Sequence, residues 1–457
     1  MFDALWDGVE WREKASVSVD KEGIIQAVGK RSGGKTQKIG GIAVPGVVNA
    51  HSHAFQNAMA GLAESCPEDR SQDDFWTWRE LMYRFALSAT PTQIEAIAAA
   101  CYRRMRRNGY THVVEFHYLH HDERGASYRN RAELGERIMR AAEASRIGLT
   151  LLPVLYQTAG IRREALPEQR RFVSRTVEDY LTLLDATVTR ARAYPNVNVG
   201  IALHSLRAVP TESIREIMSV FGDKLPVHIH AAEQPKEVEE CLEKLGARPI
   251  EWILENMGGG PWLNVIHATH MTPSEIVGLA HSGSVAVICP TTEANLADGI
   301  FPLADFRTAR GQIAIGSDSN ICLDPAEEIR LLDYLQRLSS GRRNAAWTSG
   351  EAGEVLLNAI AQGGLVTSGR TGRDDGRAIA VGMRFDAAII DSDSVALVHQ
   401  KIEKSISGWI YSGNSDCLLG TISGGALLTR SAGQSIDARL DKSAKKAIRD
   451  LASATSS

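Results

Sequence analysis

The sequence predicts an α/β fold in which a (β/α)8 TIM barrel carries a small β-sandwich domain built from both chain ends. Three observations lead there. Eight short β-rich runs follow residue 45, and each gives way to a stretch with helix signals. The polar residues that end these runs are metal-binding or acid–base types, and a closed parallel barrel gathers such residues at one face. The two ends of the chain break this rhythm and look alike.

The runs are 46–51, 111–117, 149–156, 197–204, 225–230, 264–270, 284–289 and 312–318. The helices between them support the count independently. After the first run, Thr90 caps and Pro91 opens a helix whose apolar positions Ile94, Ile97, Ala98, Cys101, Tyr102 and Met105 share one face, and it ends before Gly109. After the sixth, Thr272-Pro-Ser-Glu275 is a capping box with Pro at the first helical position and Gly283 past the end. After the eighth, Asp324-Pro325 starts a helix through Ile329, Leu332 and Leu335.

Residues 1–44 read as short polar strands and turns, and residues 378–430 read the same way, with a charged helix from Asp437 to Leu451. The expected division is 1–44 and 376–457 for the small domain with its terminal helix, and 45–375 for the barrel. Residues 363–376, rich in Gly, read as a linker.

Composition fits this picture. With 457 residues the chain can bury a large core, and 44% apolar and 23% charged residues exclude disorder as its main state. Lys+Arg 51 against Asp+Glu 55 gives a net charge of -4, which argues against a general nucleic-acid partner. No apolar run reaches the roughly 20 residues that span a bilayer. Asp3, Asp7 and Glu10 interrupt the N-terminus where a signal peptide needs basic and then apolar residues, so a cytoplasmic protein with no membrane partner is expected. Cys66, Cys101, Cys241, Cys289, Cys322 and Cys417 form no CxxC pair, which leaves histidines as the metal-competent cluster.

Barrel-strand ends supply His51, His53, Glu115, His117, Tyr156, His204, His230, His267, Cys289 and Asp318. His51 and His53 lie two apart on a strand, so both rings point to one side about 6.5 Å apart and can share a cation. His230, His267 and Asp318 end three other strands and aim at the same centre, giving a nitrogen and oxygen set suited to Zn²⁺ or Fe²⁺. Glu233 stands three residues after His230. It can serve the site, or it can simply be an acidic residue favoured at the start of the helix at Pro235. His228 shares a face with His230 but lies one layer deeper, which suits packing or support.

His51-x-His53, His230-x-x-Glu233, His267 and Ser317-Asp318 resemble the amidohydrolase superfamily, in its mononuclear deaminase branch, over essentially the whole chain. The segments 49–56, 74–79, 115–122 and 204–207 resemble those members of the branch that deiminate a formimino amino acid. The resemblance implies one divalent metal, Zn²⁺ first and Fe²⁺ second, held by His51, His53, His230 and Asp318. Binuclear relatives bridge two metals with a Lys on strand four, and 197–206 contains none.

It also implies hydrolysis of N-formimino-L-glutamate to N-formyl-L-glutamate and ammonia, a step of histidine degradation. Asp318 accepts the water proton, Glu233 carries a proton to nitrogen, and His267 steadies the intermediate. Gln56, Arg79, Tyr118, His204 and Arg207 are the implied substrate-binding residues, since a small dianionic substrate calls for two-pronged Arg contacts. Arg84 competes with Arg79, and Trp76 and Trp78 read as packing. A homodimer is the family-based expectation. The rival readings are a deaminase of an aromatic base such as guanine or adenosine, and an inactive barrel that acts as a binding partner.

Overall fold

The computed structural model describes all residues except 30–36, 65–73, 371–374, 399–400, 431, 433 and 456–457, so Cys66 and His399 lie outside the described residues. Eight parallel strand positions run in chain order around the barrel. Strand one is Val47–Ser52, strand two Tyr110–His117 and strand three Gly148–Leu155. Strand four comes in two pieces, Val197–Val199 and Ile201–Ser205. The break falls at Gly200, where a Cβ would come within 2.7 Å of Leu152 and 2.9 Å of Pro226. Strands five to eight are Val227–Ala231, Leu263–His267, Val285–Ile288 and Gln312–Ile315. Apart from Val197–Val199, the half-buried His204 and the exposed Gln312, the strands are buried on both faces, as a helix-wrapped parallel sheet requires.

The seam between strands eight and one closes at the site end. The Asp318 N–H donates to the His51 carbonyl at 3.0 Å, and the His53 N–H donates to the Asp318 carbonyl at 2.9 Å. Asn49 reinforces the seam by accepting from the Ser317 N–H at 3.0 Å and donating to its hydroxyl at 2.6 Å.

The chain ends form a six-stranded sheet in which Ile42–Pro45 pairs with Ala4–Trp6 and Ala387–Ile390. The hairpin Ser16–Val19 and Ile25–Gly29 packs across it around Phe2, Leu5, Ile25, Phe385 and Ile389, a second small core. The capped helices fall where their signals place them, at Pro91–Arg107, Pro273–His281 and Pro325–Ser340. The terminal helix Gln434–Thr455 lies against Pro91–Arg107, where Asp437 pairs with Arg103 and Arg107.

One expectation is corrected. Residues 363–367 are not linker but the end of the helix Ala352–Thr367. Its glycines serve close packing, because a Cβ on Gly363 would lie 2.0 Å from the Ile313 carbonyl oxygen and one on Gly364 2.8 Å from Val48. Among the described residues, no helix is long and apolar enough to cross a membrane.

Candidate active site

His51 and His53 leave strand one, His230 ends strand five, and Asp318 follows strand eight, so four buried side chains from three strand ends meet at the barrel mouth. Hydrogen bonds fix the imidazoles. The His53 Nδ1 donates to the Phe116 carbonyl at 2.8 Å and the His230 Nδ1 to the His204 carbonyl at 2.9 Å, leaving an Nε2 lone pair on each aimed inward. Burial lowers His53 to about 4 and drives His51 and His230 well below the usual range, helped by their mutual repulsion. All three rings are therefore neutral, the form that binds metal.

The spacing tests whether a cation fits. The His51 and His230 Nε2 atoms are 3.0 Å apart, and Asp318 Oδ1 lies 3.5 Å from His51 Nε2 and 3.3 Å from His53 Nε2. Ligands about 2.0–2.2 Å from a tetrahedral Zn²⁺ stand roughly 3.2–3.6 Å from each other, so the donor set suits such an ion. Burial also raises Asp318 to about 7 against the pull of His267, a cost that a central cation beside its carboxylate would relieve.

Backbone strain gathers here too. Ala232, His267, Ala268, Asp318 and Asn320 have φ of 51°, 69°, 51°, 46° and 62°, a region that non-glycine residues enter at a cost.

His267 ends strand six beside this cluster, with Nε2 3.8 Å from Asp318 Oδ2 and 3.7 Å from Glu233 Oε1. Its Nδ1 lies 3.2 Å from Glu293 Oε1. Burial works to lower its pKa, but the charge of Glu233, the bond to Glu293 and the charge of Asp318 prevail and raise it to about 10. Glu233 is likewise opposed by burial, yet Arg207 and His267 hold it below the usual carboxylate range.

A cavity opens above these groups, lined by all five residues expected to bind substrate: Gln56, Arg79, Tyr118, His204 and Arg207. Gln56 Nε2 donates to the Tyr118 hydroxyl at 2.6 Å. His204 sets Nδ1 3.0 Å from the Ser205 hydroxyl and packs edge-on against Tyr156. Arg79 stands on the helix Phe75–Ser88, which opens with a capping box at Asp74, and its guanidinium stacks 4.4 Å from the Trp76 ring centroid. Arg84 turns away and donates to the Thr455 carbonyl. Trp78 lines the cavity rather than only packing. Arg207 contacts Glu233 directly, and its Nε is 3.8 Å from Glu237 Oε2.

Glu115 supports the first strand by accepting from the Ala54 N–H at 2.7 Å, and His228 bonds the Thr367 carbonyl one layer below the site.

Three acids escape a reading of strand ends because they sit on following helices and loops. Glu293 holds His267 and accepts from the Cys289 N–H at 2.8 Å, Glu237 accepts from the Glu233 N–H at 3.0 Å, and Asp298 pairs with Gln234. Glu293 follows Pro290 in the first helical turn after strand seven, a signal that could have flagged it.

Comparison with known proteins agrees with this geometry. The chain is 42% identical over 407 residues to a formimidoylglutamate deiminase of Pseudomonas aeruginosa, covering 88% of each. It is 28% identical to a 5-methylthioadenosine/S-adenosylhomocysteine deaminase of Haloarcula marismortui, covering 78% of this chain and 74% of that one. Among solved structures, an amidohydrolase from Brucella melitensis matches with a TM-score of 0.87 at 35% identity over 98% of both chains. A zinc-bound adenosine deaminase from Xanthomonas campestris, at 19% identity and a TM-score of 0.77 over 98% of both, shares the fold. The model of the amidohydrolase family matches residues 42–428, and the chain belongs to that family.

Proposed function

We propose that this protein hydrolyses N-formimino-L-glutamate to N-formyl-L-glutamate and ammonia. The observation that carries the reading is the joining of two unlike parts at one barrel mouth: three neutral histidines, His51, His53 and His230, with the Asp318 carboxylate against His51 and His53, and two arginines, Arg79 and Arg207, in the wall of the cavity above them. The relative from Pseudomonas aeruginosa supports it.

His51, His53, His230 and Asp318 would hold one divalent cation, Zn²⁺ before Fe²⁺, which supplies a Lewis acid able to make water nucleophilic at neutral pH. Asp318, beside His51, His53 and His267, would take a proton from the attacking water. Glu233, ionised beside Arg207 and His267, takes one proton of the water and delivers it to the formimino nitrogen, and the proton taken by Asp318 follows to the same nitrogen, which leaves as ammonia, a far better leaving group than the amide anion. His267, protonated between Glu233 and Glu293, donates toward the oxygen that gains negative charge. Arg79 and Arg207 bind the substrate carboxylates. A purine deaminase would need stacking faces and base-edge partners where these two cations stand.

Ammonia release should be measured across formiminoglutamate, formiminoaspartate and a purine panel, with metal analysis of the same sample. Turnover of the formimino acids and loss of activity on chelation are expected. Preferential turnover of a purine, or full activity in the metal-free protein, would overturn the reading.

A further inference from the structure

Gln169, fully buried in the turn Pro167–Gln169 after strand three, joins two rings of the cavity wall. Its Oε1 accepts from the Leu166 N–H at 2.8 Å, which fixes which end of the amide points inward. Its Nε2 lies 2.8 Å from the hydroxyls of both Tyr83 and Tyr156. An amide nitrogen carries two hydrogens and accepts none, so both bonds run from Gln169 to the phenols. Each phenol keeps its own hydrogen to donate elsewhere. Even where one hydroxyl donates to the other, the pair retains a hydrogen for the cavity.

The surroundings of these hydroxyls are cationic. Tyr83 and Tyr156 line the cavity with Arg79 and Arg207, and the Tyr156 phenol feels the charge of both arginines. The Arg79 guanidinium also lies 5.5 Å from the Tyr83 ring centroid. The guanidinium of Arg79 only donates, and each phenol already holding a Gln169 N–H on its oxygen has its own hydrogen to offer, so this part of the wall is rich in donors and matches an anion with several lone pairs. The same segment is anchored to the helix that bears Arg79, because Arg171 donates to the Ala86 and Ala89 carbonyls at that helix's end. At the reacting end Arg207 is engaged by Glu233, whereas Tyr83 and Arg79 stand together on Phe75–Ser88.

We propose that Gln169 is a positioning residue that turns the Tyr83 and Tyr156 hydroxyls outward as donors, so that with Arg79 they form the subsite for the carboxylate distal from the formimino carbon. The assignment of that carboxylate rests on the proposed function. The direction of the hydroxyls does not.

The test uses metal-loaded protein and two ligands without a formimino group, glutarate and butyrate, titrated by calorimetry. Wild type should prefer glutarate by about tenfold or more, equivalent to roughly 1.4 kcal/mol. Gln169→Leu and the double variant Tyr83→Phe/Tyr156→Phe should both lose most of that preference, with butyrate binding little changed. In turnover the loss should fall on KM rather than kcat. An unchanged glutarate-to-butyrate ratio in the double variant, or equal loss for both ligands, overturns the subsite. Should Gln169→Leu fail to fold by thermal melting, the phenylalanine variant decides alone. Failure of wild type to release ammonia from formiminoglutamate would refute the function instead, because the ligand preference is read without turnover.

Discussion

Exchanging Glu293 for Gln removes one negative charge from beside His267 and leaves the side chain's shape in place. Glu293 Oε1 lies 3.2 Å from His267 Nδ1 and accepts from the Cys289 N–H at 2.8 Å, and the amide oxygen of Gln can keep both contacts. What disappears is the charge. A hydrogen bond to a charged partner contributes about 1.5–3 kcal/mol and a neutral one about 0.5–1.5, so the lower ends of the two ranges differ by roughly 1 kcal/mol, which sets the lower figure. The Coulomb attraction of two unit charges about 4 Å apart, at an effective dielectric near 20, is roughly 4 kcal/mol and sets the upper end. If that stabilisation is used when charge develops on the reacting oxygen, kcat falls between about fivefold and nearly a thousandfold. The pH profile should move as well, since removing a charge that raises His267 lets the ring lose its proton at lower pH, and the alkaline limb shifts downward. The assay is ammonia release against pH with metal content measured in parallel. Unchanged kcat and an unmoved alkaline limb would refute the role given to His267, and loss of metal would place Glu293 in support of the ligands instead.

Glu233→Gln should keep metal content near wild type while lowering kcat by about 10² to 10⁴, the usual worth of a general acid; loss of metal would make Glu233 a ligand. Arg207→Met should raise KM and also depress kcat, because Arg207 holds Glu233 as well as facing the cavity, and kinetics unchanged in both parameters would remove it from the site. Gly363→Ala should lower stability by about 1–3 kcal/mol, as overpacking does, because its methyl meets the Ile313 carbonyl; an unshifted urea midpoint would contradict the packing. Burial raises Glu328 from the usual 4.5 to about 8, so between those pH values the folded chain keeps a proton that the unfolded chain has lost. Stability from this group therefore falls as pH rises through that window. Glu328→Gln can keep the bonds to the Thr291 N–H and hydroxyl without ionising, and it should gain on wild type above about pH 8 but not near pH 4.5 in thermal melts.

The barrel and the cluster of side chains at its mouth were legible because both follow from local pattern. A buried strand is a short apolar run, and His51, His53, His230, His267 and Asp318 stand at the ends of such runs. Other features depend on which way a helix is turned. Arg79 and Arg84 lie on one aromatic-rich helix five residues apart, and only its packing sends one into the cavity and the other to Thr455. Glu237 and Glu293 look like the acidic residues that helix N-termini favour anyway, so their reach into the site is hidden until strands five, six and seven are side by side. Gly363 and Gly364 misled for a similar reason, since glycine marks flexible chain and close helix packing alike. That Arg207 would grip Glu233 as well as face the cavity is a tertiary fact, invisible to spacing.

Asp318 does two jobs at one place: its backbone stitches the last barrel strand to the first, and its carboxylate faces the imidazoles of His51 and His53. This gives the protein a timetable. During synthesis the first two histidines emerge early and must wait, without their carboxylate partner, while seven further barrel strands are made. The four side chains cannot stand together before the ring shuts, so the donor set and the barrel are completed together, late in the chain. Chain ends cut short of residue 318 should carry neither.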